Sequence, residues 1–146
     1  MHGVLYPRIF DGSQGYTDWF TRYVLINSDI IFNCQAHALS KARNNDTYGY
    51  LFDVAPALHG QDIDYTFFVD DSLAEVVSMD TAHTLQDWIV TFMMSGALST
   101  AVPGVPEFPF YGGDGQIMVL GANSTVVAKD PAANSRCDWW NKALHI

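Results

Sequence analysis

Positive charge is scarce in this chain. Seven Lys and Arg stand against sixteen Asp and Glu in 146 residues, a formal net charge of -9. A surface of that sign repels phosphate backbones and anionic membranes, and no Lys/Arg cluster offsets it, so nucleic acid is not an expected partner. Cysteine is nearly absent as well. Cys34 and Cys137 are too few and too far apart for a zinc site of the paired-cysteine kind, and composition leaves open one long-range disulfide or two free thiols. No spacing of the His-Glu-x-x-His type joins His2, His37, His59, His83 and His145, so no metal is expected, and no motif requires a cofactor. Long apolar runs are missing: the least polar stretch, 89–102, is too short to span a bilayer and stops at Pro103. The opening MHGVLYPRIF has neither a basic start nor a long apolar core, so it does not read as a secretory signal. Repeats, linkers and low-complexity tracts are also lacking, which points to one domain over 1–146 with no internal boundary.

What is present is packed, globular material: 49% apolar and 14% aromatic residues, in a chain long enough to bury a core. The stretch 5–16 is broken by Pro7, Gly12 and Gly15. Asp18 is placed to cap a helix starting at Trp19, and Asp29 to cap another over 29–42, with Ile30, Ile31, Cys34, Ala38 and Ala42 as its apolar face. TYGYLFDV (47–54) reads as a short buried strand closed by Pro56. APALHG is then a loop, DIDYTFF a short helix or turn, and 72–95 a long helix with Leu73, Val76, Val77, Leu85, Trp88, Ile89 and Phe92 facing inward. Residues 96–115 are a Gly/Pro-rich loop, QIMVL (116–120) and STVVA (124–128) a small hairpin, and 137–145 a final helix. One strand and a late hairpin do not make a complete sheet, so the texture is that of an α/β protein without its earlier strands.

His59 carries the chemistry to be weighed. Its plain reading is a histidine that ties down a loop through backbone hydrogen bonds. Its functional reading rests on position, at the C-terminal end of a strand, where catalytic groups gather in α/β sheets. A neutral imidazole there can take a proton from a hydroxyl and return it, provided a carboxylate orients its other nitrogen. Asp62 and Asp64 are near in sequence, but acids so placed more often cap the next turn. The nucleophile is the gap. Gly-x-Ser-x-Gly is absent, and its nearest approach, Asp11-Gly12-Ser13-Gln14-Gly15, reads as a surface turn, so Ser13 is rejected. No His-Gly-Gly-Gly run offers an oxyanion hole. Two glycosylation sequons begin at Asn45 and Asn123, a faint sign of export.

TYGYLFDVAPALHGQDIDYTFF resembles the histidine segment of the type-B carboxylesterase and lipase family, in which a strand leads to a His-Gly loop and then an acidic, aromatic run. Three further blocks resemble that family in the same order: DIIFNCQAHALSKA (29–42), TLQDWIVTFMMSG (84–96) with PEFPFY after it, and SRCDWWNKAL (135–144). The resemblance implies the C-terminal portion of an α/β-hydrolase fold, the last strands of its central sheet plus flanking helices. It implies His59 as general base and acid of a Ser–acid–His triad, with Gly60, Asp62 and Asp64 around it, and a small-molecule or lipid ester as substrate. It also implies pairing of Cys34 with Cys137, and with it a secreted protein. The family's serine, triad acid and oxyanion glycines lie before the histidine segment, so Met1 is expected to be internal to a longer protein whose signal peptide lies in the missing part. On that reading the isolated chain is inactive, and its strand at 47–54 and the faces of 29–42 and 73–92 lack partners, so it self-associates. The rival readings are a non-catalytic, adhesion-type relative and a small independent binding domain.

Overall fold

A computed structural model describes residues 5–69 and 76–143. The chain forms two compact units. One runs Thr47–Lys129; the other joins the residues up to Asp46 with those from Asp130 onward.

In the contiguous unit, β1 (Tyr50–Asp53) pairs in parallel with β2 (Gln116–Gly121), which pairs antiparallel with β3 (Thr125–Lys129). Strand order is therefore β1-β2-β3, a mixed sheet. The β2–β3 hairpin arises from runs rich in branched residues on either side of a two-residue tip, closed by the Gly121 N–H donating to the Ser124 carbonyl at 3.0 Å. A parallel β1–β2 pair needs a long crossover, supplied here by residues 54–115 with α3 (Asp62–Thr66) and α4 (Met79–Ser95). Register begins at Tyr50 opposite Met118, just beyond Gly49, where a Cβ would meet Ile117 Cγ2 at 3.0 Å.

Helix α4 starts later than the sequence predicts. Ser78 is extended and its hydroxyl accepts from the Thr81 N–H, a side-chain cap that sets the first turn at Met79. Val76 and Val77 therefore precede the helix, and Leu73 lies outside the described residues. Gly96, at φ 74°, ends it as expected. Its buried face is Thr81, Ala82, Thr84, Leu85 and Trp88, of which Ala82, Leu85 and Trp88 join Val54, Tyr65, Phe108, Met118 and Leu120 in one core. Ile89 and Phe92, expected inward, are exposed with Val90, Met93 and Met94. Strand β1, expected to be buried, is mostly exposed: only Phe52 is half-buried, and among the described residues its sole strand partner is β2.

The other unit begins with α1 (Trp19–Ser28), capped by Asp18 in a capping box with Thr21, as the sequence predicts. The next expectation is corrected. Asp29 caps nothing, because the helix does not stop there. It continues through a π-helical segment (Asp29–Asn33) into α2 (Cys34–Ala42). Asp29 is buried, and its carboxylate accepts from the Tyr6 hydroxyl at 2.8 Å, Arg136 Nε at 3.0 Å and Asn33 Nδ2 at 3.1 Å. Widening one turn rotates the helix beyond it, so the inward residues are Cys34, His37 and Ser40, while Ile31 is exposed. Helix α5 (Ser135–Ala143) packs on α2, and Cys34 and Cys137 form a disulfide across a separation of 103 residues. Of the two options composition left open, the structure holds the bridge.

Candidate functional site

Val54, buried at the end of β1, anchors the loop that carries His59. Beyond it the backbone turns sharply. Ala55–Pro56 is cis, Ala57 has φ 55°, and its N–H donates to the Val54 carbonyl at 2.7 Å. Gln61 then braces the loop. Its Oε1 accepts from the Leu58 N–H at 3.0 Å, its Nε2 reaches the Ala55 carbonyl at 3.5 Å, and its own N–H donates to the Leu58 carbonyl at 3.1 Å. Gly60 comes next to it at φ 82°, a conformation that favours glycine, and its carbonyl accepts from the Ile63 N–H as α3 begins. The imidazole of His59 is thus presented, exposed, on a loop held by its neighbours at the C-terminal end of a parallel strand.

Asp62 and Asp64 occupy the first turn of α3. Asp62 accepts from the Tyr50 hydroxyl at 2.8 Å, tying the start of α3 to the start of β1. Loss of solvent around that hydroxyl, and then the bond to Asp62, push the Tyr50 pKa well above the usual phenol value. The far end of α3 is held by Gln86, whose Nε2 donates to the carbonyls of Tyr65, Thr66 and Phe68 at 3.3, 3.3 and 2.7 Å. The Tyr65 hydroxyl accepts from the Val77 N–H at 3.0 Å. Tyr50, Gln61 and Gln86 have no place in the sequence reading. None of the three carried a signal in the sequence, since their parts are set by where the side chains reach in the fold.

Ser13 lies in an exposed turn in which its N–H donates to Asp11 Oδ1 at 2.9 Å, the surface turn expected of it. Asp29, Cys34 and Cys137 bring ligand-type atoms within 4.8 Å of one another, but both sulfurs are bridged and offer no thiolate. The sequon residues differ: Asn45 is half-buried in the turn after α2, and Asn123 is exposed at the tip of the β2–β3 hairpin. No helix among the described residues is long and apolar enough to cross a membrane.

A mixed sheet with helices in its crossover, and a histidine loop at the C-terminal end of a parallel strand, define an α/β architecture. The fold matches that of Aspergillus niger EstA with a TM-score of 0.69 over 97% of this chain and 31% of that one, at 18% identity. In sequence the chain is similar to carboxylesterase patB of Aspergillus clavatus, 33% identical over 139 residues, and to carboxylesterase patB of Penicillium expansum, 30% identical over 139 residues. Each match takes in 95% of this chain and 24% of the relative, so the chain spans about a quarter of the length of these curated relatives. No family model matches it. The chain is thus similar in sequence to part of two carboxylesterases and in fold to part of EstA.

Proposed function

We propose that the chain is the C-terminal portion of a carboxylic ester hydrolase and that His59 is the general base and acid of its Ser–acid–His triad. Both compact units then belong to a single α/β-hydrolase domain, whose serine and acid precede this segment. His59 takes the serine proton as the hydroxyl attacks the ester carbonyl, and returns it to the departing alkoxide. Water repeats the cycle to release the acid. The observation that carries this reading is the place of His59, on a braced loop at the C-terminal end of β1, in a chain that resembles fungal carboxylesterases. Gly60 shapes the loop, and Asp62 and Asp64 build the helix after it rather than serving as the proton relay.

The substrate is a small-molecule or lipid ester, and the Cys34–Cys137 bridge supports a secreted protein. Alone, the 146 residues do not hydrolyse esters. In the intact enzyme, His59→Ala lowers kcat on a short-chain ester by on the order of a thousandfold or more with KM little changed. Full activity in that variant, or robust hydrolysis by the 146-residue chain, overturns the assignment.

A further inference from the structure

The two sequon asparagines meet different surroundings. Asn45 adopts a left-handed φ of 62°, its N–H donates to the Ser40 carbonyl at 2.8 Å, and its side-chain carbonyl oxygen is buried without a hydrogen-bond partner. One end of that amide is already enclosed, which leaves poor room for a bulky substituent on the other. Asn123 is exposed, the second residue of a two-residue hairpin tip, and it borders a cleft of about 650 Å³.

That volume lies in the range of small-ligand sites, about 300–1,000 Å³. Two of its lining residues are joined, because the Thr81 hydroxyl donates to the Gly121 carbonyl at 3.0 Å and ties the first turn of α4 to the hairpin. Ser78, Asp80, Thr84, Pro103, Gly104 and Ser124 are among the residues that line it. Hydroxyls and a carboxylate set among short aliphatic walls match a hexosamine ring, which carries hydroxyls, an amide and a small apolar face. The lining holds no Lys, Arg or aromatic residue, and Asp80 opposes an anion.

We propose that Asn123 carries an N-linked glycan in the exported protein and that its first N-acetylhexosamine lies in this cleft. The inference rests on the reading of the protein as secreted. In the transfer, the anomeric carbon of a polyprenyl-diphosphate-linked oligosaccharide breaks its bond to the diphosphate oxygen and bonds to Asn123 Nδ2. The amide proton passes to the transferase, and polyprenyl diphosphate leaves.

The intact protein is to be expressed in yeast behind a host leader, which imposes export, so failure at Asn123 is separable from failure of the secretion reading. Peptide mass spectrometry after enzymatic deglycosylation in 18O-labelled water reads each site. Asn123 is expected to be occupied in most molecules, Asn45 in few, and Asn123→Gln to remove the glycan where Asn45→Gln does not. An empty Asn123, or an Asn45 more occupied than Asn123, overturns the site. Seating is read by hydrogen exchange after trimming to one sugar. Amides of 79–84 and 102–105 are expected to exchange several-fold more slowly than in Asn123→Gln, and equal rates overturn the placement in the cleft.

Discussion

At the scale of single residues, the His59 loop depends on a few positions that have no chemical role of their own. Gly60 holds φ 82°, where any other L-residue is strained by about 1–2 kcal/mol. Gly60→Ala is expected to lower the melting temperature, with the free energy of unfolding by urea reporting a loss of that size; an unchanged midpoint argues against the strain. Tyr50 and Tyr6 are tyrosines kept neutral. Burial, opposed by the Trp140 N–H and aided by Asp29, pushes Tyr6 up to about 12. Because the folded-state value lies above the unfolded one near 10, the stability it contributes is fully present below about pH 10 and is lost as pH rises through about 12. Ultraviolet titration at 295 nm is expected to show two tyrosines ionising late, one of them moved part of the way back by Asp62→Asn, which removes the carboxylate facing Tyr50 but leaves its burial. A single uniform transition contradicts this.

Among the elements, the join between α1 and α2 depends on distant contacts. Asp29 sits in a π-helical turn, and Tyr6 and Arg136, from 23 and 107 residues away, both bind its carboxylate. Removing one partner of a buried pair leaves the other uncompensated, so Asp29→Ala is expected to cost about 3–5 kcal/mol in denaturant unfolding. A cost below about 1 kcal/mol means the pair contributes little here. The same contacts explain what could be read in advance. The start of α1, the β2–β3 hairpin and the stop of α4 were legible because Asp18, the Gly121-Ala122-Asn123 turn and Gly96 act on their own neighbours. The π-helical turn was not, since helical periodicity carries no trace of Tyr6 or Arg136. The site divides the same way. A strand ending in proline located His59, while the reach of Tyr50 to Asp62 and the brace formed by Gln61 are side-chain geometry that spacing does not encode.

On α2, which packs on α5, His37 is nearly fully buried, with Asp130 and Asp138 at 4.0 and 3.9 Å. Burial lowers its pKa, the Lys41 ammonium adds to that, and the two carboxylates oppose without prevailing. A histidine whose folded value lies below the unfolded one, near 6.5, contributes stability that is complete above about pH 6.5 and is lost as pH falls through the folded value. The melting temperature of the wild type is expected to fall between pH 7.5 and 5 more steeply than that of His37→Gln. Superimposable slopes rule out a contribution from this histidine.

For the molecule as a whole, exposed apolar surface is the dominant feature. Phe20, Tyr23 and Leu39 in one unit, and Val90, Met93 and Met94 in the other, lie open, as does the edge of β1 that no described strand covers. Sedimentation of the isolated chain is expected to show concentration-dependent association, and a clean monomer at tens of micromolar refutes it. The Cys34–Cys137 link closes a loop of about a hundred residues, which stabilises by on the order of 4–5 kcal/mol in the chain-entropy model. That link also sets an order in time. Thr47–Lys129 is contiguous and can fold while the ribosome is still translating, but its companion draws on both flanks and must wait for residues beyond Asp130. Until Cys137 emerges, Cys34 is a bare thiol on a nascent chain, open to capture by whichever oxidoreductase or stray cysteine reaches it first.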